Sequence, residues 1–112
     1  MKTWDERIDE VWDDATGEEV GDDTIARIDA LAAERGPDDA RAEFERGGAR
    51  DSAGRPAEAV VLYRRALALG LDEEHRPQCV IQMASSLRNL GEYDDALAVM
   101  RAEELHAALW RQ

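Results

Sequence analysis

The chain has 112 residues, 26 of them Asp or Glu and 14 Lys or Arg, for a formal net charge of −12. So acidic a balance repels phosphate backbones and anionic lipid, and no local basic face offsets it, so neither a nucleic-acid nor a membrane partner is expected. One domain of this length buries roughly 65% of its unfolded surface and folds without a staple, and the single cysteine, Cys79, makes no internal disulfide. The opening residues carry no apolar secretory core, and no apolar run approaches the roughly 18 residues of a membrane span, so a cytoplasmic setting is the expectation.

Aromatic residues are few, with three Trp, two Tyr and one Phe, so the core must come mainly from Leu, Ile, Val, Ala and Met, as in closely packed helical domains. Charge is unevenly spread: residues 1–40 hold 14 acids against four bases, whereas residues 41–112 hold 12 against 10. The acidic third reads either as a docking surface for a basic partner or as a solvated face that keeps the chain soluble.

Apolar residues recur at helical spacing and no alternating stretch is long enough for a strand, which predicts an all-α fold of about six helices. Trp4, Ile8, Val11, Trp12 and Ala15 share a stripe and predict a first helix over 4–15, ending near Gly17. Asp22, Asp23 and Thr24 offer N-cap oxygens to a second helix with Ile25, Ile28, Leu31 and Ala32 inward, stopped at Gly36 and Pro37. A third runs from Asp38 and Asp39 in its first turn to about Ala53. Pro56 suits the first position of a fourth helix reaching Leu69. The fifth, with Cys79, Val80, Met83, Ala84, Leu87 and Leu90 inward, starts either at a cap on Asp72 or at Pro77. The sixth begins near Tyr93 and includes Ala96, Leu97, Met100, Leu105, Leu109 and Trp110.

The fourth and sixth helices repeat one another. Gly54, Ala59 and Tyr63 align with Gly91, Ala96 and Met100 at a constant offset of 37 residues. Glycine permits a tight turn between antiparallel helices, alanine lets their axes approach, and the large side chain one turn later fills the gap beside it. This pattern resembles the tetratricopeptide repeat family, 34-residue helix pairs stacked into a right-handed superhelix. The family's turn glycine falls on Gly54, its small residues on Ala59 and Ala66, its aromatic on Tyr63, and Leu71 takes the place of its usual proline. In the next unit Val80, Met83, Ala84 and Leu87, then Gly91, Tyr93 and Ala96, match.

The sequence departs from the pattern in three places. About three residues are inserted around 72–75, the expected alanine after Met100 is Glu103, and the first unit places Glu43, Arg46, Gly47 and Arg50 at core positions. That third helix is therefore either rotated to bury Phe44, Gly47, Gly48 and Asp51, or its arginines are matched by nearby acids. The resemblance implies one domain over 1–112: a degenerate helix pair at 4–36, a repeat at 38–71 and another at 72–110.

No catalytic, cofactor or metal constellation accompanies the repeat. His75 and His106 lie 31 residues apart without a second ligand at helical spacing and read as solvated surface residues. Cys79 reads as a small buried thiol, there being no evident histidine base. The pairs Asp13 and Asp14, Asp22 and Asp23, and Asp94 and Asp95 point different ways and read as helix caps, while Gly47 and Gly48 lack the Lys-Ser or Lys-Thr of a phosphate loop and read as close helix packing.

The resemblance instead implies a non-enzymatic module that receives a peptide or helix of a partner protein on its concave face. By register that face carries Arg41, Phe44, Gly48, Asp51 and Ser52, then Gln78, Ile81, Ser85, Arg88 and Asn89. Arg88 and Asn89 are the anchors expected, a guanidinium for a carboxylate and an amide for a backbone. The family's carboxylate clamp uses lysines, and none follows Lys2. The rival reading is self-assembly: Leu105, Leu109 and Trp110 keep an apolar stripe on the last helix, which suits a homodimer.

Overall fold

In a computed structural model that describes residues 1–15 and 20–110, the chain forms six helices and no strand among the described residues. They are α1 (Trp4–Ala15), α2 (Asp22–Arg35), α3 (Ala40–Ser52), α4 (Pro56–Ala68), α5 (Arg76–Asn89) and α6 (Tyr93–Trp110). Each packs against the next in the chain, and α3 also touches α5, so the helices pile up in sequence order. The expected stop at Gly17 lies outside the described residues.

Helix starts correct the sequence reading in detail. The N-cap of α2 is Gly21, and Asp22 and Asp23 lie one step later in the first turn, where they face the dipole without capping a backbone N–H. Asp39 precedes α3 and accepts from the Ala42 amide at 2.8 Å, the bond a helix needs from its N-cap. Asp94 and Asp95 occupy the first turn of α6, and Asp13 and Asp14 the last turn of α1, so none of the three acidic pairs stands at the N-cap of a helix among the described residues. Helix α5 takes neither proposed start. Asp72 closes a separate turn onto His75, and Pro77 becomes the second helical residue, still before any intrahelical N–H is needed.

The repeat at an offset of 37 is visible in the backbone. At the end of α3, Gly54 N donates to Asp51 O (3.0 Å) and Arg55 N to Arg50 O (2.9 Å). At the end of α5, Gly91 N donates to Arg88 O (2.9 Å) and Glu92 N to Leu87 O (2.8 Å). Both are Schellman turns, which need a left-handed residue, and Gly54 (φ 75°) and Gly91 (φ 79°) supply it. Ala59 and Ala96 then sit buried at matching positions of α4 and α6.

Two cores share α3. Ile8 and Val11 of α1 and Ile25, Ile28 and Leu31 of α2 pack with Ala49 of α3. Phe44, Ala59, Val60, Tyr63, Ala66, Leu71, Cys79, Met83, Ala84, Leu87 and Ala96 form the second. Tyr63, at 0% exposure, lies so close to α3 that a Cβ on Gly47 would stand 2.7 Å from its ring. Gly47 is thus what lets α3 and α4 approach, as close packing predicts, whereas a Cβ on Gly48 would make only an ordinary contact with Trp12 at 3.6 Å, so the reading holds for one glycine of the pair.

Helix α6 is different. Ala96 is its single buried residue, while Leu97, Leu105, Leu109 and Trp110 are each more than half exposed. Glu103, where the family pattern expects alanine, reaches back to Arg76 at 2.8 Å, so a charged pair replaces close contact at that crossing.

Candidate functional site

Helix α3 buries little apolar surface of its own, and its charges divide between two faces. On one face the Glu43 carboxylate, 5% exposed, is held by Arg46 at 2.9 Å and by Arg65 of α4 at 3.1 Å. Asp29 of α2 meets Arg46 at 3.1 Å and Arg50 at 2.8 Å. Partial burial opposes ionisation of Asp29, but the hydrogen bonds from Arg50 and Arg46 outweigh it and hold its carboxyl below the usual range. The second alternative for α3 holds, since its arginines are matched by acids, and the first holds only in part: Phe44 and Gly47 are buried, whereas Gly48 and Asp51 are half-buried and Glu43 keeps its buried position.

The other face of α3 opens into a groove of about 390 Å³. Asp9 and Trp12 of α1 form one wall, Arg41, Phe44, Glu45, Gly48, Asp51 and Ser52 of α3 the floor, and His75, Gln78 and Gln82 the other wall. Arg41 is engaged by Asp5 of α1 at 3.0 Å and stands 3.8 Å from Glu45. The Glu45 side chain is only 10% exposed, and burial pushes its carboxyl above the usual range despite Arg41 nearby. The Tyr63 hydroxyl reaches the floor from α4, donating to Asp51 at 3.0 Å and lying 3.1 Å from the Gln82 side-chain oxygen. Burial, then the Asp51 charge, pushes the Tyr63 phenol up, so it stays a neutral donor.

The groove thus gathers Arg41, Phe44, Gly48, Asp51, Ser52 and Gln78 of the positions expected on the inner face. Ile81, Ser85, Arg88 and Asn89 are not among its walls. Ile81 is 60% exposed, Asn89 is exposed and Ser85 half-buried. Arg88 lines a separate apolar hollow with Ala84, Tyr93, Ala96, Leu97 and Met100, between α5 and α6. Asp9, Trp12, Glu45, His75 and Gln82 belong to the groove and were missed. The contribution of α1 depends on how α1 leans on α3, which no repeat register fixes, but the i, i+4 spacing of Arg41 with Glu45 and of Gln78 with Gln82 was available as a signal.

Neither histidine is a freely solvated residue. His75 Nδ1 bonds Asp72 at 2.7 Å with its ring 5.8 Å from that of Phe44, and His106 Nε2 bonds Glu73 at 2.8 Å with its ring stacked on Trp110. Ligand atoms of Asp72, Glu74 and His75 lie within 4.8 Å of one another, on a turn in which Asp72 already accepts from His75. Cys79 is fully buried, its thiol directed at the Tyr63 carbonyl and pushed up to about 12 by burial, so it stays protonated.

A family model described as tetratrico peptide repeat matches residues 40–108. The chain belongs to the tetratricopeptide repeat family. No curated protein and no solved structure matches it. Tetratricopeptide repeats generally mediate contacts between proteins, and the family is typically non-enzymatic. The match covers α3 to α6, so this tetratricopeptide repeat chain carries α1 and α2 outside it, and α1 supplies one wall of the groove. No helix among the described residues is long and apolar enough to cross a membrane.

Proposed function

We propose that the chain is a non-enzymatic binding module whose concave face, the groove shared by α1, α3 and α5, receives an extended segment of a partner protein. The observation that supports this most directly is the groove's lining. Two aromatic side chains, Trp12 and Phe44, stand beside the amides Gln78 and Gln82 and the hydroxyl of Ser52. Aromatic walls offer contact area at low entropic cost, and amides give a backbone one donor and one acceptor each. Because helices frame the groove, little ordering is lost on binding.

Gly48 gives a clean way to close the groove. A Cβ there meets Trp12 at 3.6 Å, an ordinary contact, so Gly48→Leu fills the floor without entering the core. A photo-crosslinking residue at Gln78 should form a specific adduct with a partner protein that one at Arg101 on α6 does not, and Gly48→Leu should abolish it. Equal adducts from both positions, indifferent to Gly48→Leu, would end the groove reading.

A second reading is favoured by α6. Tyr93, Leu97, Leu105, Leu109 and Trp110 are each more than half exposed, far more apolar surface than a capping helix presents. On this reading a second copy covers the face and the protein is a homodimer. Light scattering should then give about twice the chain's 12.5 kDa mass, and Leu105→Asp with Leu109→Asp should return the monomer. A monomer at every concentration refutes it.

A further inference from the structure

We infer that the groove selects a cationic segment, and specifically an arginine seated between Trp12, Glu45 and Asp51. The inference rests on the proposed concave-face binding and adds the chemistry of the occupant.

The groove's own charges do not balance. Three carboxylates line it, Asp9, Glu45 and Asp51, against the Arg41 guanidinium and the His75 ring, and both of these are already engaged outside it, Arg41 by Asp5 at 3.0 Å and His75 by Asp72 at 2.7 Å. Glu45, nine-tenths of whose side chain is buried, takes a hydrogen bond from the Trp12 side chain, but its nearest guanidinium, Arg41, stands 3.8 Å away, beyond hydrogen-bond reach. A buried carboxylate without a close cation is costly to keep ionised, and its raised proton affinity agrees. Asp51 has the Tyr63 hydroxyl as donor, and no cation among the described residues pairs with it or with Asp9. The same helix has matched its charges on the opposite face, where Glu43 and Asp29 each have two arginines. On α3 the imbalance is therefore confined to the face that lines the groove.

A guanidinium fits what is missing. Its planar fork donates two parallel bonds to a carboxylate, its flat face stacks on an indole, and it sheds water more readily than an ammonium. Trp12 and the carboxylates offer both contacts in one cavity of about 390 Å³, room for one or two large side chains and the peptide that carries them.

The test is selection from a randomised decapeptide library on the full chain, with the site of each selected peptide mapped by backbone amide and indole chemical shifts. Arginine should be enriched, the Trp12 indole should shift, and Glu45→Gln with Asp51→Asn should weaken the selected peptides by on the order of tenfold. Asp9→Asn, an exposed rim change with no cost to folding, should weaken them to a lesser degree. Asp23→Asn with Asp95→Asn removes the same charge outside the groove and should change affinity less than twofold, which separates recognition from attraction to an acidic protein. Neutral or acidic peptides selected into the groove would overturn the cationic inference and leave concave-face binding standing. Peptides that map to α6, or no binders, would overturn both.

Discussion

Helix α3 presents two faces within 13 residues, and they solve the same problem in opposite ways. Toward α2 and α4, Glu43, Arg46 and Arg50 are closed into a network with Asp29 and Arg65. Toward α1 and α5, Arg41, Glu45 and Asp51 stand around a cavity with too few cations. A buried charge that is matched holds two elements in register, whereas one left unmatched destabilises the empty state and rewards an occupant. The contrast separates framework from candidate site more sharply than burial does, because Glu43 and Glu45 are almost equally buried, at 4% and 8% exposure.

Removing the matched carboxylate should break the framework face most. Glu43→Ala takes the shared acceptor from Arg46 and Arg65 and should cost about 2–3 kcal/mol, read by urea denaturation. A cost near zero would mean that this face is as dispensable as a surface ion pair. The adjacent glycines sharpen the same division. Gly47→Ala drives a methyl into the Tyr63 ring and should cost about 1–2 kcal/mol, whereas Gly48→Ala should gain up to about 1 kcal/mol from helix propensity. Equal effects would show that the two faces are packed alike.

The acids should also differ in the sign of their pH dependence. The folded carboxyl of Asp29 is depressed below 3.8, so its contribution is present above that pH and fades as pH falls through the folded value. Asp29→Asn should thus lose about 1–2 kcal/mol at pH 7 and approach the parent at pH 3. The folded carboxyl of Glu45 is raised above 4.5, so whatever it contributes is present at low pH and lost as pH rises through the folded value. Glu45→Gln should therefore match the parent at pH 4 and equal or exceed it, by less than about 1 kcal/mol, at pH 7. Parallel profiles for the two variants would erase the distinction.

Much of this architecture is legible in the residues. The glycine, alanine and large-residue pattern from Gly54 and Gly91 reports backbone turns, and local geometry of that kind follows from local sequence. Helices α1 and α4 begin where Trp4 and Pro56 place them. The caps were harder because Asp22 and Asp39 differ only in whether the chain has already entered the helix, a matter of one residue's dihedral angles. The groove was half legible. Register along α3 and α5 found Arg41, Phe44, Gly48, Asp51, Ser52 and Gln78, but Asp9 and Trp12 come from a helix whose tilt depends on long-range contacts, and Glu45 lies off the register that the repeat assigns to the inner face. Arg88 and Asn89 lie beyond the stretch of α5 that lines the groove, Arg88 in the hollow it shares with Tyr93 of α6 and Asn89 exposed.

The thin packing of α6 has a consequence for how the molecule breathes. A stacked array opens from its ends, and the cost of detaching a terminal helix is set by the one interface it forms. Helix α6 anchors itself through Ala96, the half-buried Val99, the link from Arg76 to Glu103 and that from His106 to Glu73. Its amides should exchange with solvent deuterium well before those of α3 and α4, and each opening would uncover Met83 and Leu87, buried now, as a ledge onto which another helix could grow.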